Sequence, residues 1–200
     1  MFTYFSIDVE TSGLTTSTGV LLTIGVQPVS YDSEPKLVNV PFYIRIDQSE
    51  YLSISRAGGC WGNPDDTVTA FKWWSEQRDD IRGEAYEDDS LERHDERKAT
   101  ELFLEYIRFV EPDPKRRIFV ANPSTFDRMW IDHLIAKHMM EHPFDYRSLC
   151  LRSMRHGLRP HNVWGKDRDF RSRYPHHAYW DALSQAEDLI DMLTQRDAPK

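Results

Sequence analysis

"SIDVETSGL", Ser6 to Leu14, sets two carboxylates two residues apart in a run that otherwise reads as a buried strand. Side chains alternate along a strand, so Asp8 and Glu10 point from the same face. Their neighbours Phe5, Ile7 and Val9 mark a central strand, and "TSGL" follows as an immediate polar turn. Two carboxylates held side by side repel, and one takes up a proton unless a cation lies between them. A hard divalent ion resolves the conflict, because Mg²⁺ and Mn²⁺ prefer carboxylate oxygens. The plain alternative, a pair of surface acids on an edge strand, stays open on this stretch alone.

Working outward, Phe2 to Val9, Val20 to Val29 and Leu37 to Ile46 read as three strands rich in Val, Leu, Ile and aromatics. Short turns separate them, which predicts an antiparallel meander. Asn63-Pro64-Asp65-Asp66 opens a helix, with Asn as N-cap, Pro at the first position and acids in the first turn. That helix should run to about Gln77. Glu84 to Glu96 is acidic and reads as a solvated loop and helix face. Leu102, Phe103, Tyr106, Ile107 and Val110 have helical spacing ahead of Pro112. Arg117 to Ala121 is a short strand, Thr125 to about Met140 a helix stopped by Pro143, and Phe144 to Leu149 another strand. Arg155 to Tyr174 is loop-like, and His177 to Thr194 a last helix with Ala182, Leu183, Ala186, Leu189, Ile190 and Leu193 on its apolar face. The order β-β-β-α-α-β-α-β-α predicts an α/β domain with a mixed sheet flanked by helices.

Two hundred residues suit one domain, expected over 1–200, with 40% apolar and 29% charged residues. No run approaches the roughly 18 apolar residues of a membrane span, so no membrane role is expected. The first residues lack a basic region, an apolar stretch and a cleavage site, so no signal peptide is expected. Cys60 and Cys150 are far apart and read as two reduced thiols, which suits a cytoplasmic protein. The net charge of −8 argues against a general nucleic-acid binder. The charge is uneven, however. From Arg147 to Arg173 eight Lys/Arg face only Asp167 and Asp169, a local balance of +6. This cationic stretch is the candidate phosphate track for a single strand, the alternative being a solubilising loop.

Two further stretches bear on Asp8 and Glu10. "NPSTFD", Asn122 to Asp127, follows a strand and opens a helix, placing Asp127 where α/β sheets collect their sites. "HHAYWDA", His176 to Ala182, enters the last helix, with Asp181 one turn inside and His176 on the loop before it. An imidazole there could accept a proton from water. In this order the three stretches resemble the exonuclease motifs of the DEDDh 3′→5′ exonucleases, relatives of RNase T and of polymerase proofreading subunits. D-x-E-T-x-G stands as Asp8 to Gly13, N-x(2–3)-F-D as Asn122 to Asp127, and H-x(4)-D as His176 to Asp181. Trp73-Trp74 with Gln77 is similar to a phage and bacterial RNase T-like subgroup.

The resemblance implies a ribonuclease-H-like fold: a three-stranded antiparallel start, then parallel strands, flanked by helices. It implies that Asp8, Glu10, Asp127 and Asp181 bind two divalent ions, Mg²⁺ or Mn²⁺, and that His176 is the general base. The implied reaction is hydrolysis of single-stranded DNA or RNA from its 3′ end, releasing nucleoside 5′-monophosphates by a two-metal mechanism. A homodimer is a further expectation by analogy. Thr11, Ser12, Gly13 and Leu14 would meet the terminal nucleotide, Leu14 as a wedge, the alternative being a plain turn; Asn122 and Phe126 are counted with the substrate-binding residues, Phe126 reading also as core beside Asp127. Trp73 and Trp74 point about 100° apart on a helix, so one belongs to the core and the other can stack on a base. Sequence does not decide between them, and Trp74 is taken as the stacking candidate. The five-residue offset to Asp181 selects His176 as base over His177, which should cap the helix or face solvent. Two other readings compete. One is a non-catalytic nucleic-acid-binding module on the same fold, disfavoured because all five expected side chains are present. The other is a zinc peptidase built on His138-x-x-Glu141-His142, a short motif with no third ligand in view.

Overall fold

The structure is a computed structural model and describes residues 2–51, 70, 72–158 and 174–196. β1 (Phe2–Thr11) lies at the centre of a six-stranded sheet. On one side it pairs antiparallel with β2 (Leu21–Tyr31), with Asp8 opposite Gly25 and Glu10 opposite Thr23. On the other it pairs in parallel with β5 (Arg117–Ala121), which pairs in parallel with β6 (Ser148–Cys150). The antiparallel start and parallel continuation are the mixed sheet expected.

The expected third strand, Leu37 to Ile46, is divided. β3 (Pro35–Leu37) and β4 (Phe42–Arg45) each pair antiparallel with β2, and the chain leaves the ladder between them. Pro41, which has no N–H, sits in the break. The Gln27 amide closes it, donating to the carbonyls of Val38 at 2.8 Å and Pro28 at 3.1 Å.

The helices are α1 (Asp79–Arg82), α2 (Glu96–Val110), α3 (Ser124–Lys137), α4 (Leu151–Leu158) and α5 (Ala178–Arg196). Asp95 caps α2 by accepting the Lys98 N–H at 2.9 Å. Of the helix expected from Asn63 to Gln77, residues 63–69 and 71 lie outside the described residues, and 72–75 are helical. α4 is a helix that the sequence reading does not contain: Arg155 to Leu158 reads there as loop, and Leu151 to Met154 carries no assignment. Leu151 and Met154, one turn apart, pack on the α5 cluster and hold that helix to the sheet. The acidic stretch also differs: Gly83–Glu87 forms a single π-helical turn that carries Glu84 inward to pair with Arg45.

Alternation along β1 divides the core. Phe5, Ile7 and Val9 pack with α2 and α3 through Phe103, Ile107, Trp130, Ile131 and Leu134. The opposite face packs Val29 and Val120 under Leu151, Ala186, Leu189 and Met192. Asp8 and Glu10 belong to this second face, at the end of β1 where the apolar cluster stops and α5 begins. Among the described residues, no helix is long and apolar enough to cross a membrane.

Candidate active site

Three elements deliver the carboxylates. β1 supplies Asp8 and Glu10. Asp127, 3% exposed, stands in the first turn of α3, directly after β5. The β1–β5 pairing ends at Ser6 and Val120, so the Val9 N–H beyond it is available, and it donates to Asp127 Oδ1 at 3.1 Å. Asp181, in the first turn of α5, is 7% exposed and accepts the His176 N–H at 2.8 Å through Oδ2. One turn further, Gln185 donates from Nε2 to Asp8 Oδ1 at 2.7 Å. Ligand atoms of Glu10, His176 and Asp181 all lie within 4.8 Å of one another, the one such convergence among the described residues.

Burial works against charge here. Asp8 and Glu10 are held well above the usual carboxylate range, first by desolvation and then by the other carboxylates around them. Desolvation pushes Asp127 up to about 7, with Asp181 adding to it. The donors that orient Asp8 and Asp127 are neutral, so they fix geometry without cancelling charge. An oxygen-rich, cation-deficient donor set of this kind fits hard divalent ions.

α5 reaches Asp8 because of Gly25. A β-carbon there would lie 2.2 Å from the carbonyl carbon and oxygen of Ala178. Glycine lets the start of α5 press onto β2 beside the carboxylates. The signal was legible: a lone glycine inside a strong strand marks close backbone approach. Gln185, four residues after Asp181 on the same helix face, was also missed.

His176 has a left-handed backbone, φ 65°. Its ring lies against Trp73, centroids 4.7 Å apart and planes at 90°. His177 caps α5 as expected: its Nδ1 accepts the Tyr179 N–H at 3.3 Å. It does not face solvent. Its side chain is 11% exposed, tilted against the Tyr43 ring with Nε2 at 3.5 Å from Glu84. Burial pushes its pKa down.

Trp74, the stacking candidate, is the more buried of the two tryptophans. Trp74 is 1% exposed, and its indole N–H donates to the Thr11 carbonyl at 2.9 Å, so it supports the turn from beneath. Trp73 carries the exposed ring, at 38%. A cavity of about 310 Å³ opens between Glu10, Thr11, Leu14, Phe126 and both tryptophans, Trp73 and Trp74. In the turn, the Thr11 hydroxyl donates to the Gly13 carbonyl at 2.8 Å and the Ser12 hydroxyl accepts the Val20 N–H at 2.9 Å. Gly13 packs on Gly19, where a β-carbon would stand 2.8 Å from the Gly19 Cα. Leu14 projects outward, 59% exposed. Asn122 Oδ1 takes a long contact of 3.5 Å from Arg155.

The basic stretch is only partly in view, since 159–173 lie outside the described residues. Arg147 pairs with Asp145 and lies over Phe2, at the far end of β1 from the carboxylates. Arg155 pairs with Asp188 of α5. The zinc reading does not survive: α3 ends before His138, which faces Glu96 at 3.3 Å, while His142 turns to Asp132 at 2.8 Å.

The model of the Rv2179c-like 3′–5′ exoribonuclease domain family matches residues 3–192. The chain belongs to this family. The family's description agrees with the DEDDh motifs read from the sequence. No curated protein matches the chain. Among solved structures it is similar to E. coli Exonuclease I in complex with a dA16 oligonucleotide, with a TM-score of 0.60, 14% identity, and 98% of this chain and 41% of that chain covered. The zinc-bound form of the E. coli ExoI–ssDNA complex gives a TM-score of 0.59 and 14% identity, covering 100% of this chain and 42% of that one. The chain thus spans about two fifths of the length of these structures, and the likeness shows the shared ribonuclease-H-like fold.

Proposed function

We propose that the chain hydrolyses single-stranded nucleic acid from its 3′ end, RNA foremost, using divalent metal ions and releasing nucleoside 5′-monophosphates. The close approach of Glu10, Asp181 and His176, with Asp8 and Asp127 near enough for their charges to act on this group, carries this reading, and the family supports RNA as the substrate. A binding module without catalysis would have no use for buried, mutually repelling carboxylates.

The four carboxylates would hold two ions, Mg²⁺ or Mn²⁺. When bound, such ions activate water, neutralise the scissile phosphate and stabilise the leaving 3′-oxygen. The protein supplies the rest. The Val9 N–H and the Gln185 amide hold Asp127 and Asp8 in fixed orientations. His176, on its turn before α5, takes the proton of the attacking water at a ring nitrogen. Trp73, Leu14 and Phe126 bracket the cavity in which the terminal nucleotide sits, with Trp73 as the stacking ring.

The test is digestion of matched 5′-labelled RNA and DNA oligonucleotides with Mg²⁺, Mn²⁺ or EDTA. The expected result is a ladder shortening from the 3′ end, faster on RNA and absent with EDTA. Asp8→Ala and Asp127→Ala should abolish it, and His176→Ala should slow it about a hundredfold. A fully active Asp8→Ala protein overturns the assignment.

A further inference from the structure

The turn that carries His176 is gripped from both sides by residues outside the three catalytic motifs. His176 sits in a left-handed backbone conformation, which a β-carbon disfavours, so its neighbours must hold it there. Two residues before it, the Tyr174 hydroxyl donates to Asp80, and the Arg78 guanidinium lies 4.9 Å from the Tyr174 ring centre. One residue after it, His177 is clamped between the Tyr43 ring, 4.7 Å away, and the Glu84 carboxylate at 3.5 Å. Nδ1 of His177 accepts from the Tyr179 N–H, so its remaining proton is on Nε2 and faces Glu84. Arg45 pairs with Glu84 from β4 and fixes that carboxylate in turn. Trp73 meets His176 itself edge to face.

All of these contacts but those of Tyr43, Arg45 and Tyr179 come from one continuous stretch, residues 73–84, and none of its polar side chains is hydrogen-bonded to Asp8, Glu10 or Asp127. We propose that Glu84 and His177 are positioning residues, which set the His176 imidazole in place for proton transfer. Glu84 does so through His177. The inference rests on His176 acting as the base. Proton transfer tolerates little displacement, so loosening this grip acts on the rate of the chemical step and leaves substrate capture alone.

The experiment measures single-turnover hydrolysis for Glu84→Ala and Glu84→Gln, each in the wild-type and the His176→Ala background. Oligonucleotide Kd is measured in parallel with Ca²⁺. Glu84→Ala should lower the wild-type rate about tenfold with Kd changed less than twofold. Glu84→Gln, which keeps an oxygen to accept from His177, should recover most of the rate. In the His176→Ala background Glu84→Ala should change the rate less than twofold, because nothing remains to position. NMR supplies a readout apart from activity. The His176 ring C–H signals, displaced by the Trp73 ring current, should move toward unstructured values in Glu84→Ala and return in Glu84→Gln. An equal loss in both backgrounds, or unmoved His176 signals, overturns the proposal while leaving the general base intact. A wild-type rate for His176→Ala alone sinks the base itself, and positioning falls with it.

Discussion

Gly25→Ala puts the docking of α5 to a direct test. The added β-carbon would stand 2.2 Å from the backbone of Ala178 and 2.5 Å from the Tyr179 nitrogen. Ordinary contact begins at 3.4 Å, so the start of α5 must retreat by 1.2 Å or β2 must bend. Backbone atoms cannot rotate aside as a flexible side chain can. Overpacking of this kind costs about 1–3 kcal/mol. For a chain of this length that lowers Tm by roughly 2–12 °C. Asp181 and the His176 turn move with the helix, and Gln185 moves away from Asp8. A displacement near 1 Å at a reacting centre can cost about a hundredfold in rate. Thermal melting in EDTA and hydrolysis with Mn²⁺ give the two numbers. A Tm within 1 °C of wild type together with a wild-type rate would mean that α5 does not rest on Gly25, and the assembly of the site described here would be wrong.

The tryptophans should separate cleanly. Trp73→Ala should weaken oligonucleotide binding by about 1–3 kcal/mol, or about fivefold to 150-fold in Kd, with little loss of stability. Trp74→Ala should destabilise by about 3–5 kcal/mol, and the reverse pattern would return the stacking role to Trp74. Metal-free stability should fall as pH rises from about 4 to about 7. Asp127 titrates near 7 in the folded chain and near 4 unfolded, so across that window the folded state holds the extra proton. His177, with its pKa lowered, pulls the other way below pH 6.5, so the comparison is with Asp127→Asn. Melting in EDTA should show a steeper decline with pH for wild type than for that variant, and parallel curves would refute the burial of a charged Asp127.

The reach of the sequence followed how local each signal was. Alternation at Asp8 and Glu10 with Phe5, Ile7 and Val9 between and before them identified both the central strand and the two faces it divides. Strand-to-helix punctuation placed Asp127, and the offset from His176 placed Asp181. Choices made by packing stayed closed. Trp73 and Trp74 are chemically alike, and distant partners, the Thr11 carbonyl with Leu22, Ile81 and Ala85, select Trp74 for burial. His177 lies inside because Tyr43 and Glu84, distant in sequence, form its wall. The third strand breaks where Pro41 cannot donate, a signal that was present, as was the glycine in mid-strand at position 25. α4 spaces Leu151, Met154 and Leu158 at helical intervals, a signal that was present, but it is only eight residues long and carries Gly157 near its end.

The site gathers acids and withholds the obvious remedy. No Lys or Arg among the described residues pairs with Asp8, Glu10 or Asp127, although the same chain pairs Glu84 with Arg45 and Asp188 with Arg155. A cationic side chain would relieve the repulsion and also take the place of a metal ion. Gln185 occupies the position where such a side chain would do most, buried and 2.7 Å from Asp8. Its neutral amide orients the carboxylate and leaves the charge for a ligand to meet. The proposed metal binding would therefore be coupled to folding, since ions that bind only the folded site stabilise it by mass action. Gln185→Lys reverses that arrangement. The ammonium should pair with Asp8, raise Tm in EDTA, and shrink the stabilisation gained on adding Mn²⁺, while hydrolysis is lost. Thermal melting with and without Mn²⁺ measures both effects. If Gln185→Lys lowers the metal-free Tm and keeps the full response to Mn²⁺, the repulsion among these carboxylates is not what the folded site bears.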